Sequence, residues 1–276
     1  MKMRSLLFVP ADRPERYLKA AQSGADAIII DLEDSVSPAN KQAGRESVAD
    51  FLQTASEAPV IVRVNPLDSG ETAADLAAIL PQPPDAVMLP KAEGAASVQR
   101  LVHLMDGAQM PVIPIGTETP AAIFELGSYR DVKTPMIGLT WGAEDLPAAI
   151  GATSAREPDG KYTPPIETAR SLILFAAHAA GVPAIETVYP DIRDLEGLAA
   201  YAARGRRDGF SGMMAIHPAQ VDVINHAFTS TQEEVARARA IIDAFEQNPG
   251  AGTLQLDGRM IDRPHLLQAR RLLGES

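Results

Sequence analysis

Short, predominantly apolar runs recur along the chain at residues 5–9, 27–30, 60–64, 86–89, 112–115, 136–140, 183–185 and 213–216. Each has the length of a strand, and none alternates apolar with polar. Continuous runs of this kind mark strands buried on both faces, as in a parallel sheet. Between most of them lie stretches rich in Ala, Glu and Arg with helical periodicity, for example 15–23, 41–52 and 166–180. Strand and helix alternate every roughly 25–30 residues, with one longer interval, which is the size of a unit in a (β/α)8 barrel. The predicted class is therefore α/β, and the predicted fold a (β/α)8 TIM barrel. An open doubly wound sheet is the competitor. Eight units, and no Gly-x-Gly-x-x-Gly turn after the first strand, count against it.

The pattern changes after the eighth run. Thr231 and Glu234 have the spacing of a capping box, and the helix they open is expected to reach about Gln247. Asn248-Pro249-Gly250 breaks it. Residues 254–261 read as a hairpin turning on Asp257-Gly258, and a last helix starts near Pro264. The expected organisation is a barrel over 1–228 and a helix–hairpin–helix extension over 229–276, packing on or reaching into a neighbouring subunit. Residues 151–165, rich in Gly, Pro and charge, are expected to loop over the barrel mouth.

Composition narrows the function. A net charge of −11 argues against nucleic-acid or anionic-membrane partners, which want a basic footprint. The chain has no cysteine, which excludes disulfides, zinc–thiolate sites and a cysteine nucleophile. No apolar run is long enough to span a membrane, and Met1-Lys2-Met3-Arg4 leads into a strand without a signal-peptide pattern. A cytoplasmic protein is expected.

In barrels the chemistry lies just after the strands. Those positions hold Arg13, Asp31, Glu33, Asp34, Arg63, Lys91, Glu118, Glu144, Asp145, Glu186 and His217. Glu118 and Asp145 each close an apolar run, and two such acids suit a hard divalent cation such as Mg2+, with water and substrate completing its shell. Acids in the first turn of a helix would occupy the same places for purely structural reasons. Glu144 points elsewhere than its neighbour and is expected to support the site from behind. Arg63 has the planar fork that grips a carboxylate or thioester oxygen, or else forms a salt bridge with Asp31, Glu33 or Asp34. That acidic trio needs cations, and it is expected to hold Arg63 and Lys91 in place; a solvated turn is the plainer reading. A lysine so close to acids stays protonated, which disfavours a Schiff-base role for Lys91. His217 either joins a strand to a helix or faces substrate. Asp262, two residues before Pro264, has the place of an N-cap.

These residues, taken in order, give the chain its resemblance to the citrate lyase beta-subunit / malyl-CoA lyase-like family of acyl-CoA carbon–carbon lyases. The likeness spans nearly the whole length. It rests on Arg4-Ser5-x-Leu7-Phe8-Val9-Pro10, Asp31-Leu32-Glu33-Asp34-Ser35-Val36, Arg63-Val64-Asn65-Pro66, Leu89-Pro90-Lys91, Glu118-Thr119, Gly142-Ala143-Glu144-Asp145-Leu146, Ile216-His217-Pro218-x-Gln220 and Met260-Ile261-Asp262-x-Pro264. The resemblance implies a Mg2+-dependent barrel, trimeric or hexameric, that cleaves or forms a 3-hydroxyacyl-CoA from acetyl- or propionyl-CoA and a 2-oxo acid. It implies Glu118 and Asp145 as metal ligands and Arg63 at the thioester. Phe8, Arg13 and Lys19 are implied at coenzyme A, and Ile216 and His217 at substrate. Asp262 is implied as an acid/base offered to the next protomer. A metal-dependent aldolase on free oxo acids, a malyl-CoA thioesterase and a carrier-protein-dependent citrate lyase subunit are the alternatives. The chain departs from the family's usual residues at Ala11, Pro120, Glu186 and Met213, and the last two, at strands seven and eight, bear on which acyl group is taken.

Overall fold

The computed structural model describes residues 2–275, which fall into two compact units divided between Phe228 and Thr229. In chain order the first unit contains β1 (Ser5–Pro10), α1 (Tyr17–Ala21), β2 (Ala27–Asp31), α2 (Lys41–Leu52), β3 (Val60–Arg63) and α3 (Thr72–Ile79). It continues through β4 (Ala86–Leu89), α4 (Gly94–Leu104), β5 (Val112–Pro114), α5 (Pro120–Glu125), β6 (Leu139–Thr140) and α6 (Asp145–Ala149). Then come α7 (Pro164–Ala179), β7 (Ala184–Glu186), α8 (Leu195–Asp208), β8 (Gly212–Ala215) and α9 (Val221–Ala227).

The eight strands pair in parallel in the order β5-β4-β3-β2-β1-β8-β7-β6, and isolated bridges Val112↔Met136 and Ile115↔Thr140 close the ring between β5 and β6. This is the α/β barrel expected from the apolar runs. Successive side chains of a strand point to opposite faces, so each run feeds two cores. In β2, Ala27 and Ile29 join the barrel interior with Leu6, Ile61, Ile113 and Met214, while Ile28 and Ile30 join the layer beneath the helices. Full burial of one such isoleucine is worth about 1.5–3 kcal/mol, and the polar residues of these strands accordingly stand at their ends, as Ser5, Asp31, Arg63, Thr140 and Glu186 do. Among the described residues no helix is long and apolar enough to cross a membrane.

The second unit holds α10 (Gln232–Gln247), β9 (Thr253–Leu256), β10 (Arg259–Asp262) and α11 (Arg263–Leu273). Thr231 and Glu234 form the capping box of α10. The β9–β10 hairpin turns on Asp257 and Gly258, both at positive φ, as a two-residue hairpin turn demands. Ile241, Ile242, Phe245, Ile261 and Ala269 give this unit a small core of its own.

Candidate active site

Parallel register builds the centre of the site. Asp31, the last residue of β2, is the register partner of Arg63, the last of β3. Their side chains therefore meet: Arg63 Nε donates to Asp31 Oδ1 at 2.6 Å and Nη2 to Oδ2 at 2.7 Å. Asp31 is itself fixed, because it also accepts the backbone N–H groups of Glu33 and Ser35. The third guanidinium nitrogen, Nη1, lies 2.8 Å from Glu33 Oε2, and the Phe8 ring sits 4.9 Å from the guanidinium carbon. A guanidinium carries five N–H donors, so Arg63 is held rigidly and still keeps donors to offer.

From Glu33 the charges continue. Lys91 Nζ donates to Glu33 Oε1 at 2.7 Å and lies 3.2 Å from Asp145 Oδ1. Lys91 adopts a left-handed backbone, φ 49°, rare for a residue with a side chain. That conformation aims its N–H at Glu118 Oε2, 2.6 Å away. One residue thus ties the strand-end acids together, by its ammonium on one side and its amide on the other.

These contacts set the protonation of the group. Burial disfavours the Asp31 carboxylate, but the charge and hydrogen bonds of Arg63 outweigh it and hold the acid below its usual range. Burial lowers the tendency of Lys91 to stay charged, yet Glu33 more than restores it, so its amine is no nucleophile. Glu118 is different. It is 4% exposed, and burial together with the charges of Glu33 and Asp145 pushes its carboxyl up to about 8, against the partial relief of the Lys91 amide. This is a carboxylate short of positive charge. Room for a cation exists beside it: a Cβ at Gly142 would lie 2.9 Å from Glu118 Oε1, so the glycine keeps that oxygen uncovered. Among the described residues no set of three His, Cys, Asp or Glu side chains forms a closed metal cage. Two carboxylates with open positions suit Mg2+, which dehydrates reluctantly and keeps water or substrate oxygens.

A cavity of about 440 Å3 opens over these groups. It is lined by charged residues, Asp31, Asp34, Arg63, Glu118, Glu144 and Asp145, together with apolar ones, among them Ile115, Trp141, Val188, Met214 and Ile216. Of the residues singled out from the sequence, the cavity gathers Phe8, Arg63, Glu118, Asp145, Asp31, Asp34, Glu144 and Ile216.

Others fall elsewhere. Arg13, after β1, is 57% exposed and its ion pair is with Asp12 at 4.0 Å, and Lys19 stands on the exposed face of α1; neither lines the cavity. His217 is exposed and accepts the Ala219 N–H on Nδ1, so it caps the short turn that follows. Asp34 pairs with neither Arg63 nor Lys91; it is exposed at the cavity wall, and Asp31 and Glu33 alone hold those cations. Glu144 lines the cavity directly instead of standing behind Asp145. Residues 151–165 contribute nothing to the wall; their Tyr162 is buried against Trp141 at 5.3 Å between ring centres. Glu186 and Met213 do not face the cavity either. Both are fully buried, Met213 in the layer beneath the helices, because strand alternation turns Met214 inward in its place. Asp262 caps α11 in the second unit, with its Oδ1 2.5 Å from His265 Nδ1.

Sequence reasoning missed Trp141, Thr187, Val188 and Met214 as wall residues. Their only signal is position at a strand end, without the charge that draws attention.

A parallel eight-stranded barrel with its ionisable groups gathered at the carboxyl ends of the strands is the architecture of a barrel enzyme. The model of the HpcH/HpaI aldolase/citrate lyase family matches residues 4–218, and the chain belongs to this family. It is a lyase of that kind. The citrate lyase subunit beta-like protein of Mycobacterium tuberculosis H37Rv is 38% identical over 267 residues, covering 97% of this chain and 93% of its own. A (3S)-malyl-CoA thioesterase of Cereibacter sphaeroides ATCC 17025 is 32% identical over 278 residues, covering 99% and 94%. Among solved structures, the CitE protein of M. tuberculosis in complex with magnesium, acetoacetate and coenzyme A superposes with a TM-score of 0.85 at 36% identity, covering 99% of this chain and 98% of that one.

Proposed function

We propose that this chain is a Mg2+-dependent carbon–carbon lyase that cleaves or forms a 3-hydroxyacyl-CoA, such as malyl-CoA, citramalyl-CoA or citryl-CoA. Its products are acetyl- or propionyl-CoA and a 2-oxo acid. The observation that carries the reading is the uncovered, charge-starved Glu118 carboxylate, linked through Lys91 to Asp145 and facing the same cavity as Arg63. The magnesium, acetoacetate and coenzyme A bound by the M. tuberculosis CitE protein support the same chemistry.

Glu118 and Asp145 would hold the cation, which when bound supplies Lewis-acid polarisation of the oxo-acid carbonyl. Arg63, locked on Asp31, directs its remaining donors at the thioester oxygen and stabilises the negative charge that collects there as the carbon–carbon bond breaks. Lys91 keeps Glu33 and Asp145 from repelling each other and fixes Glu118 through its amide. Asp262, offered by a neighbouring copy in a trimer or hexamer, delivers the proton to the acyl carbon. Phe8, whose ring lies 4.9 Å from the Arg63 guanidinium carbon, contacts coenzyme A together with Arg13 and Lys19, the two cations serving its phosphates from outside the cavity. The protein works in the cytoplasm.

The test is product analysis with purified protein, Mg2+ and malyl-, citramalyl-, methylmalyl- and citryl-CoA, with EDTA and Glu118→Ala controls. Metal-dependent release of acetyl- or propionyl-CoA supports the lyase and names its oxo acid. Free CoA instead would favour the hydrolysis named for the C. sphaeroides relative. No turnover by folded protein moves the reading to a non-CoA aldolase or a carrier-dependent subunit.

A further inference from the structure

Behind the cavity wall lies a polar cluster that the chemistry above does not use. Glu186, the last residue of β7, is fully buried, and so is Trp141, which leads into the Gly142–Asp145 turn. Glu186 Oε1 accepts Trp141 Nε1 at 2.6 Å, Tyr201 Oη at 2.9 Å and the Thr187 N–H at 3.0 Å. Its Oε2 accepts Arg170 Nε at 2.8 Å, and Arg170 Nη2 lies 2.7 Å away. Arg170, 3% exposed, is held in turn by Asp208. On α8, Gly205 leaves space for the carboxylate: a Cβ there would come within 3.2 Å of Oε2.

A buried ion pair is weak evidence for stability, since a well-packed apolar pair serves as well or better. This one is arranged so that one oxygen answers Arg170 while the other grips two wall residues, Trp141 and Thr187. Trp141 has no freedom left: its N–H is bonded to Glu186 and its ring is packed edge-on against Tyr162. The turn that begins at Trp141 carries Gly142, which shapes the space beside Glu118, and Asp145, which faces Lys91.

We propose that Glu186 is a positioning residue that acts through Trp141, fixing the start of the Gly142–Asp145 turn and so the distance at which Asp145 and Glu118 share a divalent cation. The proposal rests on the reading of Glu118 and Asp145 as Mg2+ ligands. Groups that orient ligands from behind commonly change metal affinity about 10- to 100-fold when altered.

The chain has a single tryptophan, so its fluorescence reports Trp141 alone. Wild-type protein and Glu186→Asp are titrated with Mg2+, reading tryptophan emission and, independently, calorimetry. Glu186→Asp keeps the charge against Arg170 but withdraws the carboxylate by one carbon–carbon bond, about 1.5 Å, too far to hold both partners. The expected result is a shifted emission in metal-free protein and a Mg2+ dissociation constant raised at least about tenfold, with turnover largely recovered at saturating Mg2+. Trp141→Phe, followed by calorimetry, replaces the indole with a smaller phenyl ring that has no N–H, and decides the matter if Glu186→Asp does not fold. Tyr201→Phe removes another donor to Glu186 without touching the wall, and should bind Mg2+ within twofold of wild type.

Unchanged Mg2+ affinity in both Glu186→Asp and Trp141→Phe overturns the proposal. So does an equal loss in Tyr201→Phe, which would mean general loosening of the cluster. Wild-type protein that binds no Mg2+ removes the metal reading itself and this proposal with it, whereas tight wild-type binding shared by the variants removes only the role of Glu186.

Discussion

Gly142→Ala is the most economical perturbation of the site, because it adds one methyl group at a known place. That carbon would lie 2.9 Å from Glu118 Oε1, 3.0 Å from its Cγ and 3.3 Å from its Cδ, where ordinary contact begins at 3.4 Å. The carboxylate must retreat by about 0.5 Å. It has nowhere to go, since its other oxygen is already 2.6 Å from the Lys91 amide. Disturbing the groups that orient a metal ligand typically costs about 10- to 100-fold in affinity, so this displacement should weaken Mg2+ binding about tenfold, or ~1.4 kcal/mol. Gly142 does not adopt positive φ, so the fold bears no backbone strain from alanine. Thermal stability should then change by less than about 1 kcal/mol, as the reduced freedom of the unfolded chain offsets part of the crowding. Calorimetric Mg2+ titration beside thermal unfolding separates the two effects. Gly127→Ala, where an added Cβ meets nothing within 4 Å, is the matched control. If Gly142→Ala binds Mg2+ within twofold of wild type, the space beside Glu118 is not where the cation sits.

Three further outcomes are expected. Burial, then Glu33 and Asp145, push the Glu118 carboxyl up to about 8, so the folded metal-free protein holds a proton that the unfolded chain releases in the ordinary carboxylate range. The stability this confers is complete at acid pH and drains away as pH rises through about 8. Chelator-treated protein should therefore lose stability from about pH 5 to about pH 9 and saturating Mg2+ should abolish the loss, as denaturant titrations at several pH values will reveal; identical profiles with and without metal contradict this. Arg63→Lys replaces a two-pronged bond to Asp31 with a point charge; kcat/KM should fall about 100-fold and stability by about 1–3 kcal/mol, with Mg2+ affinity unchanged. Mixing inactive Glu118→Gln with inactive Asp262→Asn protein, after reversible dissociation, should restore activity at about a quarter of sites if each site is shared between neighbours, while no recovery would place Asp262 outside the chemistry or in its own chain's site.

Much of the barrel is legible in the sequence because burial on both faces leaves a local mark. Ala27-Ile28-Ile29-Ile30 serves two cores at once, and no polar residue survives there. β6 is the exception, only Leu139–Thr140 where the apolar run suggested five residues. Gly138 explains part of this: its backbone passes so close to Ile185 that a Cβ would lie 2.7 Å from that side chain, a spatial fact with no sequence signature. In the site, strand-end acids and cations can be read off one by one, but not their pairing. That Arg63 faces Asp31 follows from register. That Lys91 reaches Glu118 through its amide follows from a left-handed backbone at a lysine, which no propensity predicts. Strand parity alone turns Met214 rather than Met213 toward the cavity.

The closure of the ring has a consequence for motion. β1 and β2 are laced along five register pairs, whereas the seam between β5 and β6, at Val112↔Met136 and Ile115↔Thr140, has two, as do the pairings of β6 with β7 and of β7 with β8. A cylinder stitched unevenly breathes on its thinly laced side, and amide protons from β5 to β8 should exchange with solvent before those of β1 and β2. Glu118 follows β5 and Asp145 follows β6. An ion gripped by both would be a clasp across the gap, so that loading the site would slow exchange at Gly116, whose amide is bonded to the Thr140 carbonyl across the seam. The barrel would then be fully shut only when it is ready to work.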